Sequence, residues 1–228
     1  MIRLAGVSHA YGDGPTRREV LRGIDLELSE QRIGVIGANG SGKSTLARLL
    51  NGLVLPTRGT VTVDGLDTRR DGAAVRRRVG FCFSDPDAQI VMPTVREDVA
   101  LGLRRHRLSR AEVARRVDAA LDAVGLAGHA DHPAHLLSSG QKQLLALTSV
   151  LVTEPDVLVL DEPTTLLDLR NARDVARRLA TLRQQVVLVT HDLDLLDRFE
   201  RVVVLDEGRV VADDEPGPAL TYYRALVE

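Results

Sequence analysis

Apolar and polar positions along the chain predict two kinds of strand. Three segments mix apolar with polar residues, as strands with one solvated face do: Ile2–Val7, Val20–Leu28 and Thr60–Val63. Four others are almost entirely apolar, which is typical of strands covered on both faces in a parallel sheet: Ile33–Ile36, Val157–Leu160, Val186–Val189 and Val202–Leu205. The pattern therefore predicts an α/β chain with a parallel core sheet and a separate antiparallel β subdomain.

Apolar residues at helical spacing predict the connecting elements. The predicted helices are Lys43–Leu50, Arg110–Val124, Gly140–Val152, Leu169–Leu182 and a short terminal helix over Gly217–Glu228. Residues 85–152 are mostly helical in pattern and interrupt the succession of strands. We expect a single domain in which residues 1–84 and 153–228 form the core with its antiparallel subdomain, and residues 85–152 form an inserted helical lobe.

Composition and charge argue against several classes of function. The 30 basic and 32 acidic residues give a net charge of −2, and aromatic residues make up 3% of the chain, so no nucleic-acid partner is expected. Cys82 is the only cysteine, which excludes a disulfide within the chain and favours a reducing compartment. No apolar run approaches the ~18 residues of a spanning helix, so we expect any membrane association to depend on a partner.

A glycine-rich loop follows the predicted strand Ile33–Ile36 and matches the phosphate-binding pattern G-x-x-x-x-G-K-[ST]. Its residues are Gly37, Ala38, Asn39, Gly40, Ser41, Gly42, Lys43, Ser44 and Thr45. Glycines let successive backbone N–H groups turn toward phosphate oxygens, and the following helix adds its positive end. Only two of the 30 basic residues are lysines, Lys43 and Lys142. Lysine at position 43 is what a compact charge between phosphates requires, and Ser44 offers a hydroxyl to Mg²⁺.

Carboxylates and a histidine follow two other predicted buried strands. Asp161 and Glu162 end the run Val157–Leu160, and His191 follows Val186–Val189. Because ligands of open α/β sheets bind at the carboxyl edge of the strands, we expect all three side chains near the glycine loop. Asp161 fits a partner of Mg²⁺, Glu162 a residue that orients or deprotonates water, and His191 a residue that contacts the terminal phosphate. The alternative for the acidic pair is capping of a helix that begins near Pro163.

A further motif makes the chain resemble the nucleotide-binding subunit of ATP-binding-cassette (ABC) transporters. Leu137-Ser138-Ser139-Gly140-Gln141 is similar to that family's LSGGQ signature. The resemblance implies a P-loop NTPase core, ATP and Mg²⁺ as cofactors, and ATP hydrolysis. It also implies an adenine-stacking role for Tyr11, a loop after the catalytic glutamate at Thr165–Asp168, with Asp168 at the nucleotide, and a switch role for His191.

The signature is itself a potential phosphate site. Ser138, Ser139, Gly140 and Gln141 begin a predicted long helix, where hydroxyl and N–H groups lie at a positive helix end. A plain N-cap is the alternative for either serine alone. The resemblance implies that two chains meet head to tail, with each signature closing on the nucleotide of the other chain.

Two positions depart from the family pattern. Ser139 replaces the first glycine of the signature, which adds a side chain where the backbone approaches phosphate closely. Ser84 stands where the family usually has a glutamine that contacts Mg²⁺ and links the core to the membrane protein. Gln89 follows five positions later and could serve in coupling. These departures leave open a regulatory module that hydrolyses ATP weakly.

The segment Val79–Val99 resembles the ATPases of energy-coupling-factor importers, most closely those that import biotin, with cobalt or nickel importers as the alternative. The resemblance implies a transmembrane coupling protein, a separate substrate-binding membrane subunit and a peripheral location at the cytoplasmic face of the membrane. Asp85, Asp87, Glu97 and Asp98 are predicted to form an acidic groove for basic helices of the coupling protein, or else a solvated loop. Finally, His129, His132 and His135 are interpreted as surface histidines, because Pro133 breaks the helix that would align them.

Overall fold

A computed structural model describes residues 1–165 and 167–228, with Arg170 described by its backbone alone. The chain divides into two compact units. The first comprises Met1–Gly80, Asp156–Glu162 and Leu182–Glu228, and the second comprises Phe81–Pro155 and Pro163–Thr181. The predicted lobe over residues 85–152 falls within the second unit, which also includes the segment that follows Glu162.

The described part of the chain contains ten strands and seven α-helices. The strands are β1 (Ile2–Tyr11), β2 (Arg18–Leu28), β3 (Arg32–Gly37), β4 (Arg58–Val63), β5 (Leu66–Asp67), β6 (Val79–Cys82), β7 (Val157–Asp161), β8 (Gln185–Val189), β9 (Arg201–Asp206) and β10 (Arg209–Asp214). The helices are α1 (Lys43–Asn51), α2 (Gly72–Arg78), α3 (Val95–Leu103), α4 (Arg110–Ala123), α5 (Ser139–Leu151), α6 (Leu169–Thr181) and α7 (Pro216–Val227). Short 3₁₀ turns connect several of them, including Ala127–His129 and Ala134–Leu136.

An antiparallel sheet in the first unit has the strand order β2-β1-β4-β5. Its strands alternate between buried and exposed residues, because one face packs on the core and the other is solvated. Gly59 permits close approach of β4 to β1. A Cβ at this position would lie 2.4 Å from the carbonyl oxygens of both Ala5 and Gly6, and its φ of +77° favours glycine.

The second sheet has the strand order β10-β9-β3-β8-β7-β6. Strands β9, β3, β8 and β7 are parallel, and β10 is antiparallel to β9. Every residue of β3 and of β7 is buried, as expected for strands that are covered on both faces. The uniformly apolar runs in the sequence therefore do form the parallel core, as predicted.

The second unit has its own apolar core, formed mainly by α3, α4 and α5. The buried side chains are Val95, Val99, Leu103, Val117, Leu121, Leu126, Ala130, Ala134, Leu137, Leu145 and Val152. Gly102 permits the close packing of α3 on α5, since a Cβ there would lie 2.8 Å from the carbonyl oxygen of Ser149. Thr94 begins α3 with a reciprocal capping box to Glu97.

All seven predicted strands and all five predicted helices are present, with ends that differ by a few residues. The sequence pattern missed β5, β6, β10, α2 and α3. Strand β6 has four residues and α2 ends in three consecutive arginines, so neither shows a clear apolar period. Strand β10 has no fully buried residue, so its sequence does not show the pattern of a core strand.

We predict that the single thiol, Cys82, is inert in the folded chain. The side chain is buried, and burial raises the pKa of the thiol to about 12, so almost no thiolate forms at pH 8. Iodoacetamide should therefore leave the native chain unmodified over hours and alkylate it rapidly in denaturant, as measured by intact mass. Fast alkylation of the native chain would show that this part of the second unit is open to solvent.

Candidate functional site

The register of three parallel strands places the candidate residues of the first unit at one sheet edge. Val35 of β3 pairs with Val189 of β8, which in turn pairs with Asp161 of β7. The residues after these positions, including Gly37, Glu162 and His191, therefore leave the sheet side by side. The Glu162 N–H donates to the carbonyl oxygen of Val189 at 2.9 Å, which extends the pairing to the edge.

The glycine loop has a backbone that other residues would not tolerate. Gly37, Gly40 and Gly42 have φ values of +150°, +82° and +104°. A Cβ at Gly37 would lie 2.1 Å from the carbonyl oxygen of Leu205, and one at Gly42 would lie 2.7 Å from Leu21 Cδ2. Ala38, Asn39 and Ser41 complete the turn, which leads into α1. Helix α1 has no side-chain cap at Gly42, so its first N–H groups can bind an anion.

Lys43 is buried and lies against the loop that precedes it. Its Nζ donates to the carbonyl oxygens of Gly37 at 2.8 Å and Ala38 at 3.0 Å. Burial lowers the pKa of the ammonium group, and the carboxylates of Glu162 and Asp161 act in the opposite direction. The hydroxyl of Ser41 is buried without a hydrogen-bond partner among the described residues. A buried cation and an unsatisfied hydroxyl on one loop fit a phosphate group.

The two predicted metal ligands are in contact. Ser44 Oγ donates to Asp161 Oδ1 at 2.8 Å, and Arg48 lies 3.8 Å from Asp161 Oδ2. Burial raises the pKa of the Asp161 carboxyl, which the Ser44 hydrogen bond and the charge of Arg48 partly offset. A hydroxyl oxygen beside a carboxylate oxygen is a donor set that suits Mg²⁺, which is bound by one or two protein oxygens together with water and phosphate.

Glu162 and His191 form a pair at the same edge. The Nδ1 of His191 lies 2.6 Å from Glu162 Oε2, and the imidazole is largely exposed. The backbone of Glu162 has a φ of +53°, a left-handed conformation that is uncommon for a residue other than glycine. Strained backbone of this kind is often found where a side chain has a functional orientation. The alternative interpretation was that Asp161 and Glu162 cap a helix. It does not hold for Asp161, because its Oδ1 accepts a hydrogen bond from Ser44.

Tyr11 lies near the start of α1. Its hydroxyl is 3.4 Å from Thr45 Oγ1, and its ring makes an edge-to-face contact with His9. The tyrosine is 42% exposed, which leaves part of its ring surface available for a planar ligand. The structure thus brings Tyr11, the glycine loop, Asp161, Glu162 and His191 together in the first unit.

The signature residues lie in the second unit, at the start of α5. Ser138 is the N-cap, and its hydroxyl accepts from the Gln141 N–H at 3.3 Å while Gln141 Oε1 accepts from the Ser138 N–H at 2.9 Å. An N-cap role was the alternative to phosphate binding for Ser138, and Ser138 does form a complete capping box with Gln141. Ser139 is exposed in the first turn. Gly140 is buried against Asn171, where a Cβ would lie 2.8 Å from Asn171 Nδ2.

Asp168 caps the helix that packs on Gly140. Its two carboxylate oxygens accept from the Asn171 N–H at 2.8 Å and from Asn171 Nδ2 at 3.1 Å. The predicted nucleotide contact of Asp168 is thus accompanied by a structural role at the start of α6. Within the predicted loop Thr165–Asp168, Leu166 lies outside the described residues.

Gln89 holds the segment after β6 in place. Its Oε1 accepts from the Phe83 N–H at 3.1 Å, and its Nε2 donates to the carbonyl oxygen of Ala146 on α5 at 2.8 Å. Both ends of the amide are therefore bonded within the second unit. Ser84 is partly exposed in the same segment. The sequence did not reveal this role, because a glutamine on a loop gives no sign of which backbone groups it will bind.

The predicted acidic groove is wrong for one of its four residues. Asp98 is buried, and its carboxylate accepts from the N–H groups of Val91 and Met92 and from Ser149 Oγ. Those three bonds compensate the charge inside the unit, so Asp98 is not available to a partner. Asp85, Asp87 and Glu97 are exposed, and Asp87 forms an ion pair with Lys142 at 2.7 Å.

The interpretation of the three histidines as surface residues holds for His132 and His135, which are exposed, and is wrong for His129. His129 is partly buried, with its Nδ1 fully buried and its Nε2 against Gln141. The sequence missed this contact because helix geometry relates residues three or four apart, whereas His129 and Gln141 are separated by two turns. Among the described residues, no cluster of three or more histidine, cysteine or acidic side chains could hold a metal ion.

The chain belongs to the ABC transporter family, whose model matches residues 21–165. It is 48% identical over 209 residues to the biotin transport ATP-binding protein BioM of Rhizobium etli, covering 92% of this chain and 93% of that protein. It is also 48% identical over 217 residues to the energy-coupling factor transporter ATP-binding protein EcfA1 of Symbiobacterium thermophilum, covering 90% and 76%.

Solved structures agree with the family. The CbiO1 protein of Clostridium perfringens, described as part of the ABC transporter complex CbiONQ, matches with a TM-score of 0.84 and 32% identity, covering 99% of this chain and 92% of that one. A dimeric post-hydrolysis state of the cassette MJ0796 bound to ADP and Pi matches with a TM-score of 0.85 and 29% identity, covering 95% and 99%.

The predicted fold class and the predicted resemblance are therefore confirmed. The chain is an ATP-binding ABC transporter ATPase with relatives among biotin and energy-coupling-factor ATPases. Within the described part of the chain, none of the helices has the length and apolarity needed to cross a bilayer.

We predict that Gln89→Ala destabilises the chain without changing its requirement for Mg²⁺. The substitution leaves the Phe83 N–H and the Ala146 carbonyl unpaired, which should lower the free energy of unfolding by about 1–3 kcal/mol. Gln89→Glu keeps the acceptor for Phe83 and should show an intermediate loss. Denaturant unfolding and Mg²⁺ titration of ATPase activity test both; a markedly higher Mg²⁺ requirement would place Gln89 in the metal shell instead.

Proposed function

We propose that the chain is the ATP-hydrolysing, energy-coupling subunit of an energy-coupling-factor importer, and that it acts as a dimer on a transmembrane coupling protein at the cytoplasmic face of the membrane. The observation that supports this most is the convergence of the glycine loop, the Ser44–Asp161 pair and the Glu162–His191 pair at one sheet edge. These contacts provide phosphate binding, a metal-ligand set and a base within one unit.

In the proposed reaction, Lys43, Ser41 and the N–H groups of the loop hold the phosphates of ATP, and Tyr11 contacts the adenine. Ser44 and Asp161 would hold Mg²⁺, which neutralises charge on the β- and γ-phosphates when bound. A water attacks the γ-phosphorus and gives its proton to the Glu162 carboxylate as the bond to the β–γ bridging oxygen breaks and ADP leaves. His191, whose Nδ1 lies 2.6 Å from Glu162 Oε2, would orient that carboxylate and contact the terminal phosphate.

Dimer formation is the second part of the proposal. The N-terminus of α5 presents Ser138, Ser139 and the first N–H groups of the helix, which are suited to a phosphate. The similarity to a dimeric cassette with ADP and Pi supports closure of this helix end on the nucleotide of a second copy. Asp168 would lie beside that interface.

Biotin is the proposed substrate of the complete importer, and a separate membrane subunit binds it. The 48% identity to BioM of Rhizobium etli over 92% of the chain supports this choice. The second candidate is a cobalt or nickel importer, which the resemblance of Val79–Val99 to energy-coupling-factor ATPases leaves open. Asp85, Asp87 and Glu97 are the exposed acidic residues that would attract basic helices of the coupling protein.

We predict that Glu162→Gln stops turnover and traps ATP in a stable dimer. The amide still accepts a hydrogen bond from His191 but cannot take a proton from water. Size-exclusion chromatography with ATP should show a dimer for Glu162→Gln and a monomer for the same chain without nucleotide. Turnover that persists in Glu162→Gln at more than about a tenth of the wild-type rate would assign the base to another residue.

We predict that Lys43→Arg is nearly as inactive as Lys43→Ala, each losing about a hundredfold or more in ATPase rate. Lys43 is buried with two carbonyl contacts, and a planar guanidinium does not fit that space. Steady-state phosphate release measures the rates. An active Lys43→Arg would mean that only the charge at this position matters, and an active Lys43→Ala would exclude the proposed site.

We predict that the membrane partners co-purified with this chain retain biotin. Mass spectrometry of the extracted complex identifies the small molecule, and metal analysis of the same sample tests cobalt and nickel. Retention of either metal without biotin would replace the proposed substrate and leave the proposed ATPase reaction intact.

A further inference from the structure

The hydrogen bond from the Ser138 N–H identifies which end of the Gln141 side-chain amide is the oxygen. Its Oε1 accepts from the Ser138 N–H at 2.9 Å, because a backbone N–H can only donate. The other end of the amide, Nε2, must therefore point away from Ser138. This end lies 3.2 Å from Nε2 of His129, a residue twelve positions earlier in the chain.

The contact dictates the protonation state of His129. An amide NH₂ can only donate, so the facing imidazole nitrogen must accept, and it does so only in the neutral tautomer with its proton on Nδ1. That Nδ1 is buried and has no hydrogen-bond partner among the described residues. A buried N–H without a hydrogen-bond partner lowers the free energy of unfolding, so this orientation of the ring makes the fold less stable.

The pocket that the ring lines has no acidic side chain among its lining residues. His129 lines a pocket of about 360 Å³ with His132, Pro133, Leu136, Leu137 and Gln141. His132 is the titratable group against it, with the two rings edge to face and their centroids 5.1 Å apart. The other lining residues are uncharged, and the α5 side chain that faces the ring is the Gln141 amide itself. A proton on Nε2 of His129 would face the NH₂ group of Gln141, so two hydrogen-bond donors would oppose each other.

We propose that His129 is a positioning residue for the signature helix: its neutral imidazole orients the Gln141 amide, which completes the cap of α5 at Ser138 and fixes the helix end that closes on ATP of a second copy. This inference rests on the proposed function, since it concerns the ATP-dependent dimer. His129 does not touch the nucleotide. It acts through Gln141, whose rotation would remove the bond to the Ser138 N–H.

The test uses the Glu162→Gln background, in which closure can be measured without turnover. His129→Leu keeps the bulk of the ring and removes the acceptor, while His129→Gln provides a carbonyl oxygen that can accept from Gln141. The matched control is His135→Leu, an exposed histidine of the same segment. Two quantities are measured for each chain: the affinity of the monomer for a fluorescent ATP analogue, and the ATP concentration that gives half-maximal dimer.

His129→Leu should raise the ATP concentration for half-maximal dimer about fivefold, as expected for the loss of one hydrogen bond. Monomer affinity should be unchanged, and His129→Gln and His135→Leu should match the parent.

Two results would overturn the inference. One is equal dimerisation by His129→Leu and the parent. The other is an equal loss in His129→Leu and His129→Gln, which would indicate packing alone. If the parent background forms no ATP-dependent dimer at all, the proposed function fails instead, and the two failures are thereby distinguished.

Discussion

The alignment of three parallel strands determines where the chemistry of this chain takes place. Val35, Val189 and Asp161 lie side by side in β3, β8 and β7, so the residues that follow them emerge together. A shift of one residue in either pairing would turn each side chain of the shifted strand to the opposite face of the sheet. The hydrogen bond between Ser44 and Asp161 would then be lost. Complete burial of β3 and β7 fixes this register, because any slip would expose apolar side chains. The glycine loop, the proposed metal ligands and the proposed water-orienting carboxylate therefore depend on the packing of the core below them.

Much of this arrangement could be predicted from the sequence, because it depends on patterns formed by residues that are close together in the chain. Uniformly apolar runs mark buried strands, the glycine loop has a fixed spacing, and Asp161 and Glu162 directly follow a strand. Because the carboxyl ends of parallel strands lie at one edge of the sheet, the position of these residues at that edge follows from the topology. The predictions that failed concern long-range contacts of single polar side chains. Asp98 was assigned to an exposed groove, whereas it binds two N–H groups and a serine inside the second unit.

Polar residues on irregular segments were the hardest to interpret. Gln89 and His129 both bind partners on α5, at separations of 57 and 12 residues. A loop residue has no period from which its direction can be derived, so its partners become known only when the backbone is placed. Both residues act on the helix that begins with the signature. Helix α5 is therefore held within the second unit by the close packing of α3 at Gly102 and by the hydrogen bonds of these two side chains.

The left-handed backbone at Glu162 has a consequence for how such a chain can evolve. A non-glycine residue at φ of +53° costs on the order of 1–2 kcal/mol. Glycine would relieve that cost, but it would also remove the side chain that we propose takes the proton. The residue that best suits the backbone at this position is therefore not the residue that suits the proposed chemistry, so a gain in stability here would be made at the expense of turnover.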